Sequence, residues 1–157
     1  MGRSDLPLAE AIAERVHPTL PEDPAVFAER LALFPHGCLM LEDGGKCSGY
    51  AIAHPWRLTQ PPALNTFLGG LPAEADTLFL HDLALLPEAR GAGFAGIAVR
   101  LLAERATALG LAAMSLVAAG TSHAFWRHHG FRLLDADGVA AAVATYGPGA
   151  CAMVWRF

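Results

Sequence analysis

The residues best placed to do chemistry fall in one short stretch, Leu85-Leu86-Pro87-Glu88-Ala89-Arg90-Gly91-Ala92-Gly93-Phe94-Ala95. Gly91, Ala92 and Gly93 carry almost no side chain, so successive backbone N–H groups there can converge on an anion. A helix beginning at Phe94 adds the positive end of its dipole. The stretch predicts a seat for a pyrophosphate.

Gly91-Ala92-Gly93-Phe94-Ala95-Gly96 also fits G-x-G-x-x-G, the dinucleotide fingerprint. Its position does not suit that reading. The fingerprint's glycines follow their strand directly, and an acid stands about 20 residues further on. Here Pro87 to Arg90 intervene, and Leu111 to Val117 holds no acid. A nicotinamide-binding oxidoreductase is therefore the weaker alternative. His128-His129 has the residue types of a metal pair, but neighbours on a helix do not face each other and no third ligand is evident, so no metal is expected. Cys38, Cys47 and Cys151 are odd in number and dispersed, which speaks against a disulfide framework or a cysteine zinc site.

A chain of 157 residues suits one domain, 1–157. Hydrophobic residues make up 54%, enough for a core. No stretch approaches the ~18 apolar residues of a membrane span, and Met1 to Glu14 lacks the apolar run of a secretory signal. A cytoplasmic location is expected. The formal net charge is −4, and Lys46 is the only lysine. The arginines form no stripe, which argues against nucleic acid as a partner. Arginine in place of lysine, with abundant Ala and Gly, suggests a GC-rich bacterial source.

The elements that must hold the loop follow from periodicity. Leu6 to Val16 reads as a helix, and so does Ala25 to Phe34, with Pro24 in its first turn and Pro35 as its stop. Gly37 to Leu41 and Cys47 to His54 read as a hairpin about Asp43-Gly44-Gly45. Pro55 to Asp76 is broken by prolines and glycines, with a turn or two of helix expected at Ala63 to Leu68. Thr77 to Leu85 is apolar on both faces, as for a central strand. Phe94 to Leu109 is the strongest helix, with Phe94, Ile97, Ala98, Leu101, Leu102 and Arg105 on one face and Gly110 as its stop. Ala112 to Ala118 is a buried strand. Thr121 or Ser122 can cap a helix to His129. Phe131 to Leu134 and Ala152 to Phe157 complete the strands, and Asp135 to Gly149 gives no assignment.

Two signatures in this order resemble the GNAT superfamily of acetyl-CoA-dependent N-acetyltransferases. Arg90-x-x-Gly93-x-Ala95 resembles its R/Q-x-x-G-x-G/A motif, and Leu80 to Arg90 looks like the strand and approach that precede it. Ala124-Phe125-Trp126-Arg127-His128-His129-Gly130-Phe131 resembles its second signature, F/Y-Y-x-x-x-G-F. The resemblance spans Thr77 to Leu134. It implies an α/β (α+β) GNAT fold: a single mixed, mostly antiparallel sheet, splayed between the fourth and fifth strands and flanked by about four helices.

It also implies a site. Acetyl-CoA, as cosubstrate and with no metal, would lie in the splay. Its pantetheine arm would pair with Leu83, Ala84 and Leu85, its pyrophosphate would rest on Arg90, Gly91, Ala92, Gly93, Phe94 and Ala95, and Ser122, Phe125 and Trp126 would lie beside it. The acceptor amine would attack the thioester directly, so no cysteine nucleophile is needed. His81 is the implied general base, since relatives carry glutamate or histidine there, and a neutral imidazole suits base work near neutrality. Asp82 is its rival. In a regular strand it points to the other face, and a bulge would change that. Trp126 departs from the tyrosine that often serves as general acid, and an indole N–H is a donor only. His123, His128, Tyr146 and Tyr50 are substitutes, and Ala119 replaces the usual asparagine.

The acceptor would be a small-molecule or peptide amine. Trp56 and Phe67 of the 55–76 segment would form apolar walls, and Glu74, Asp76 and Asp82 would attract a cation. The other reading of that segment is an ordinary surface loop. Trp126 supports one more alternative, a CoA-binding regulatory module without activity. Exposed strand edges suit a homodimer.

Overall fold

The structure is a computed structural model describing residues 1–157. In chain order it holds α1 (Leu6–Val16), α2 (Pro24–Leu33), β1 (Cys38–Asp43), β2 (Lys46–Trp56) and β3 (Thr77–Leu85). There follow α3 (Phe94–Ala108), β4 (Ala113–Ala118), α4 (His123–His128), β5 (Arg132–Leu133), α5 (Ala140–Ala144) and β6 (Cys151–Arg156). The six strands form one sheet in the order β1-β2-β3-β4-β6-β5. Only β3 and β4 run parallel. This is the mixed, mostly antiparallel sheet expected. No strand precedes β1, so the splayed pair is third and fourth in chain order, and there are five α-helices rather than about four. No helix is long and apolar enough to cross a membrane.

Local chemistry sets the boundaries. Asp23 Oδ1 accepts from the Ala25 N–H at 2.8 Å and Pro24 fills the first turn, so α2 starts at Pro24 rather than Ala25. Ala63 to Leu68 forms no helix. Asn65 stands at φ +56°, and the N–H groups of Leu64 and Leu68 go to Thr145 Oγ1 and Glu29 Oε2, at 2.9 Å each, instead of to a helical ladder. The strand expected over 131–134 shrinks to Arg132–Leu133, and the unassigned 135–149 stretch contains α5.

Helix α3 is rotated from the expected face: Leu102 and Ala98 pack inward as expected, but Ile97 and Leu101 do not. Val99, Leu102, Ala103 and Ala106 pack on Leu78, Leu80 and Met114 of the sheet, while Ile97 and Leu101 are 41% and 43% exposed. Two alanines in that stripe permit close approach to the sheet, which larger residues at 97 and 101 would not. A second cluster lies under α1 and α2, where Ile12, Phe27 and Leu31 meet Tyr50, Ile52 and Ala84.

The splay is the feature that positions the site. β3 and β4 pair only at Leu78↔Met114 and Phe79↔Ser115. Thr77 Oγ1, fully buried, lies 3.2 Å from the Ala113 carbonyl and 3.1 Å from Ser115 Oγ, tying the closed end of the wedge. From Leu80 to Leu85, β3 has no partner on β4.

Candidate active site

A cavity of about 740 Å³ fills the open end of the wedge. Leu80, His81, Asp82 and Leu83 line it from β3, and Leu116 and Val117 from β4. In a regular strand these four β3 residues would alternate between faces. They do not, because β3 is bulged: Asp82 pairs with Ile52 and Leu80 with Ala53, leaving His81 without a partner on β2. A bulge of this kind re-aims side chains.

His81 Nε2 lies 3.0 Å from Glu22 Oε2, with the two side chains 1% and 6% exposed. Glu22 also lines the cavity, from the turn between α1 and α2. A carboxylate can only accept, so toward Glu22 the ring donates from Nε2, and Nδ1 is buried without a partner. Sequence reasoning missed Glu22. It lies 59 residues from His81 and between the prolines and cap of a helix start, so no spacing signalled it.

Asp82 is engaged elsewhere. Tyr50 donates its hydroxyl to Oδ2, and His17 Nε2 lies 3.1 Å from Oδ1. Burial pushes the Asp82 carboxyl up, but His17 and Tyr50 outweigh it and leave the pKa below the usual value. Burial likewise lowers His17, and Asp82 more than offsets that, raising it. Asp82 is thus a carboxylate held in an ion pair, poorly suited to take up a proton.

The cofactor residues proposed from sequence divide in two. Leu83, Arg90, Ser122, Phe125 and Trp126 line the cavity. Ala84 does not: it is buried on the α1/α2 side. Leu85 offers its carbonyl to Arg90 Nε at 3.1 Å. Gly91, Ala92, Gly93, Phe94 and Ala95 lie outside the cavity lining, next to Arg90, and no backbone carbonyl accepts from their N–H groups. Gly91 and Gly93 stand at φ +83° and +81°, a left-handed backbone that turns the loop into α3 and favours glycine. Free amides leading into a 15-residue helix fit a pyrophosphate.

Trp126 is buried against Phe125 and Phe131. Of the substitute acids, His123 and His128 lie off the cavity. Tyr146 lines it, but its hydroxyl donates to the Pro62 carbonyl at 3.0 Å, and burial raises its pKa as it raises that of Tyr50. Trp56 and Phe67 are not cavity walls: the Trp56 indole donates to the Gln60 carbonyl, and Phe67 is 63% exposed. Leu64 lines the cavity from that segment instead. Glu74 and Asp76 are off the cavity as well. No group of three or more His, Cys, Asp or Glu side chains could hold a metal ion.

A sheet split between two parallel strands, with a glycine loop after the first of them, is the scaffold that the resemblance to the GNAT superfamily implies. The acetyltransferase (GNAT) family matches residues 7–131, and the chain belongs to that family. No curated protein matches the sequence. Solved structures share the fold at low identity. The GphF GNAT-like decarboxylase in complex with isobutyryl-CoA has a TM-score of 0.81 and 18% identity, over 99% of this chain and 96% of its own. The NatC complex bound to Gag peptide and CoA gives 0.75 and 11%, over 99% and 92%. Arabidopsis thaliana Naa50, in complex with the bisubstrate analogue CoA-Ac-MVNAL, gives 0.69 and 13%, over 100% and 95%.

Proposed function

We propose that this chain, as one unit over residues 1–157, moves an acetyl group from acetyl-CoA to a primary amine by direct attack on the thioester. The observation that carries this reading is the wedge wall itself: His81, backed by Glu22, on a strand whose edge is free from Leu80 to Leu85. The pantetheine arm would pair with that free edge near Leu83, and the amides of Gly91 to Ala95 would hold the pyrophosphate.

An ammonium has no lone pair, so the acceptor must first lose a proton. The His81–Glu22 pair would take it: the proton goes onto the imidazole, and Glu22 stabilises the resulting cation. The amine nitrogen then forms the C–N bond, the C–S bond breaks, and CoA leaves as thiolate, while the second proton that the new amide nitrogen must shed passes to solvent. With a thiol pKa near ~8.5, solvent can protonate it, so Trp126 at the usual acid position does not stop the reaction. Glu22 on the cavity wall favours an acceptor that brings a cationic amine over one with its own carboxylate. CoA bound with a peptide or peptide mimic in two proteins of this fold supports a peptide amine beside small amines.

Trp126, with Tyr50 and Tyr146 both engaged, is the observation that favours the second reading, a CoA-binding module without turnover. Thiol release from acetyl-CoA over a panel of primary amines and short peptides separates the two. Amine-dependent release is expected. Tight acetyl-CoA binding with no release on any acceptor favours the second reading, and tighter binding of NAD than of CoA rejects both.

A further inference from the structure

The 55–76 segment reads from sequence as an acceptor wall or an ordinary surface loop, and its hydrogen bonds point to a different use. Arg30 on α2 is fully buried. Its guanidinium pairs with Glu29 and donates from Nη2 to the Thr66 carbonyl at 2.7 Å. Glu29 in turn accepts from the N–H groups of Leu68 and Gly69, each at 2.9 Å. Between these anchors Asn65 adopts φ +56°, the one non-glycine residue with positive φ. Its side-chain oxygen accepts from the Asp23 N–H at 2.7 Å, and its own N–H donates to Glu22 Oε1 at 3.0 Å. The other oxygen of Glu22 faces His81.

We propose that Asn65 and Arg30 are positioning residues for His81: the clamped 63–69 turn delivers one backbone N–H that fixes the Glu22 carboxylate against the imidazole. This rests on the assignment of His81 as base. A buried cation is costly unless it is paired and hydrogen-bonded. Here the Thr66 carbonyl lies on the turn that holds Glu22, and Glu29, the paired carboxylate on α2, grips the same turn through Leu68 and Gly69, which gives the burial a purpose. The consequence is a set tautomer: with both Glu22 oxygens engaged, the ring keeps its proton on Nε2 and its lone pair on Nδ1.

The test uses Asn65→Gly, Asn65→Ala and Arg30→Lys in the full chain. Glycine keeps the left-handed turn and the N–H, and alanine disfavours that backbone. Asn65→Ala should lower kcat ~10-fold with KM for acetyl-CoA unchanged, while Asn65→Gly stays within ~3-fold of wild type. In a Glu22→Ala background, Asn65→Ala should cost nothing further, because the residue acts only through Glu22. Equal losses in both backgrounds would overturn the proposal. Ring ¹⁵N spectra give a readout independent of turnover, with His81 assigned by His81→Gln. The Nε2–H form should dominate in wild type and mix with Nδ1–H in Asn65→Ala and Arg30→Lys. An unchanged tautomer in both variants also overturns it. If wild type acetylates no amine, the acetyltransferase reading fails, and the ¹⁵N spectra still decide the positioning.

Discussion

His81 and Asp82 are consecutive on β3, yet both line the same cavity. Regular pleating would separate them. Dropping His81 from the β2 register brings them together, and each is then committed to a different partner, Glu22 for the imidazole and His17 for the carboxylate. In the proposed mechanism the two ionisable neighbours have separate tasks, proton uptake for His81 and structural charge for Asp82.

Replacing His81 should therefore affect chemistry more than binding. His81→Ala is expected to lower kcat by ~10²-fold or more, the usual contribution of a general base, with acetyl-CoA affinity within ~2-fold. Stopped-flow thiol release and calorimetric titration check the two quantities. Glu22→Gln keeps the hydrogen bond without the charge and should fall between wild type and His81→Ala. Asp82→Asn, by contrast, should show its main effect on stability. A larger loss of kcat in Asp82→Asn than in His81→Ala would reverse the assignment of base.

The cofactor loop makes a separate prediction. A β-carbon at Gly93 would meet nothing within 4 Å, so a side chain there fits, although φ +81° strains it by about 1–2 kcal/mol. Gly93→Glu should fold with a modest drop in melting temperature while weakening CoA more than ~10-fold, since a carboxylate would sit where phosphates approach the free amides. Gly93→Ala separates strain from charge and should weaken CoA less. Equal affinity for wild type and Gly93→Glu would move the pyrophosphate elsewhere.

The sequence disclosed what is local. The loop at Arg90 to Ala95, the strand Thr77–Leu85 and the helix from Phe94 each follow from short-range pattern and glycine chemistry. What depends on tertiary pairing stayed hidden. Glu22 meets His81 across 59 residues, and the helical spacing of Ala25 to Phe34 does not tell that Arg30 is enclosed by Glu29 and Thr66. The α3 face was misjudged because hydrophobicity favours Ile97 and Leu101, whereas close approach to a sheet favours Ala103 and Ala106. Trp56 and Phe67 have the apolar character of a wall, but side-chain character does not tell which residues a pinned turn directs inward.

The His17–Asp82 pair should make stability depend on pH within a defined window. His17 titrates above its ordinary value in the folded chain, so its contribution is full below about pH 6.5 and is lost as pH rises through the raised pKa. Asp82 titrates below its ordinary value, so its contribution is present above about pH 4 and is lost as pH falls further. Both contribute between those limits. His17→Gln should lower the unfolding free energy more at pH 5.5 than at pH 9, by on the order of 1 kcal/mol for a partly exposed pair. An equal loss at both values would mean that the imidazole is uncharged in the fold.

His54 should act in the opposite sense on the acid side. It is fully buried among Trp56, Phe79 and His81, with Nδ1 3.3 Å from the Pro55 carbonyl and Nε2 unpartnered. Burial, then the nearby His81 and Arg30, push its pKa down to about 3. In the unfolded chain the same ring takes a proton near pH 6.5. The unfolded state therefore binds the extra proton first, and stability present above pH 6.5 is lost as pH falls toward 3, by up to about 1.4 kcal/mol per unit. His54→Phe keeps an aromatic ring in the cluster and removes the proton. Between pH 7.5 and 4.5, wild type should lose about 3 kcal/mol more than His54→Phe in urea unfolding. Parallel losses would show that the folded protein admits a charge at His54, and with it water, beside the candidate base.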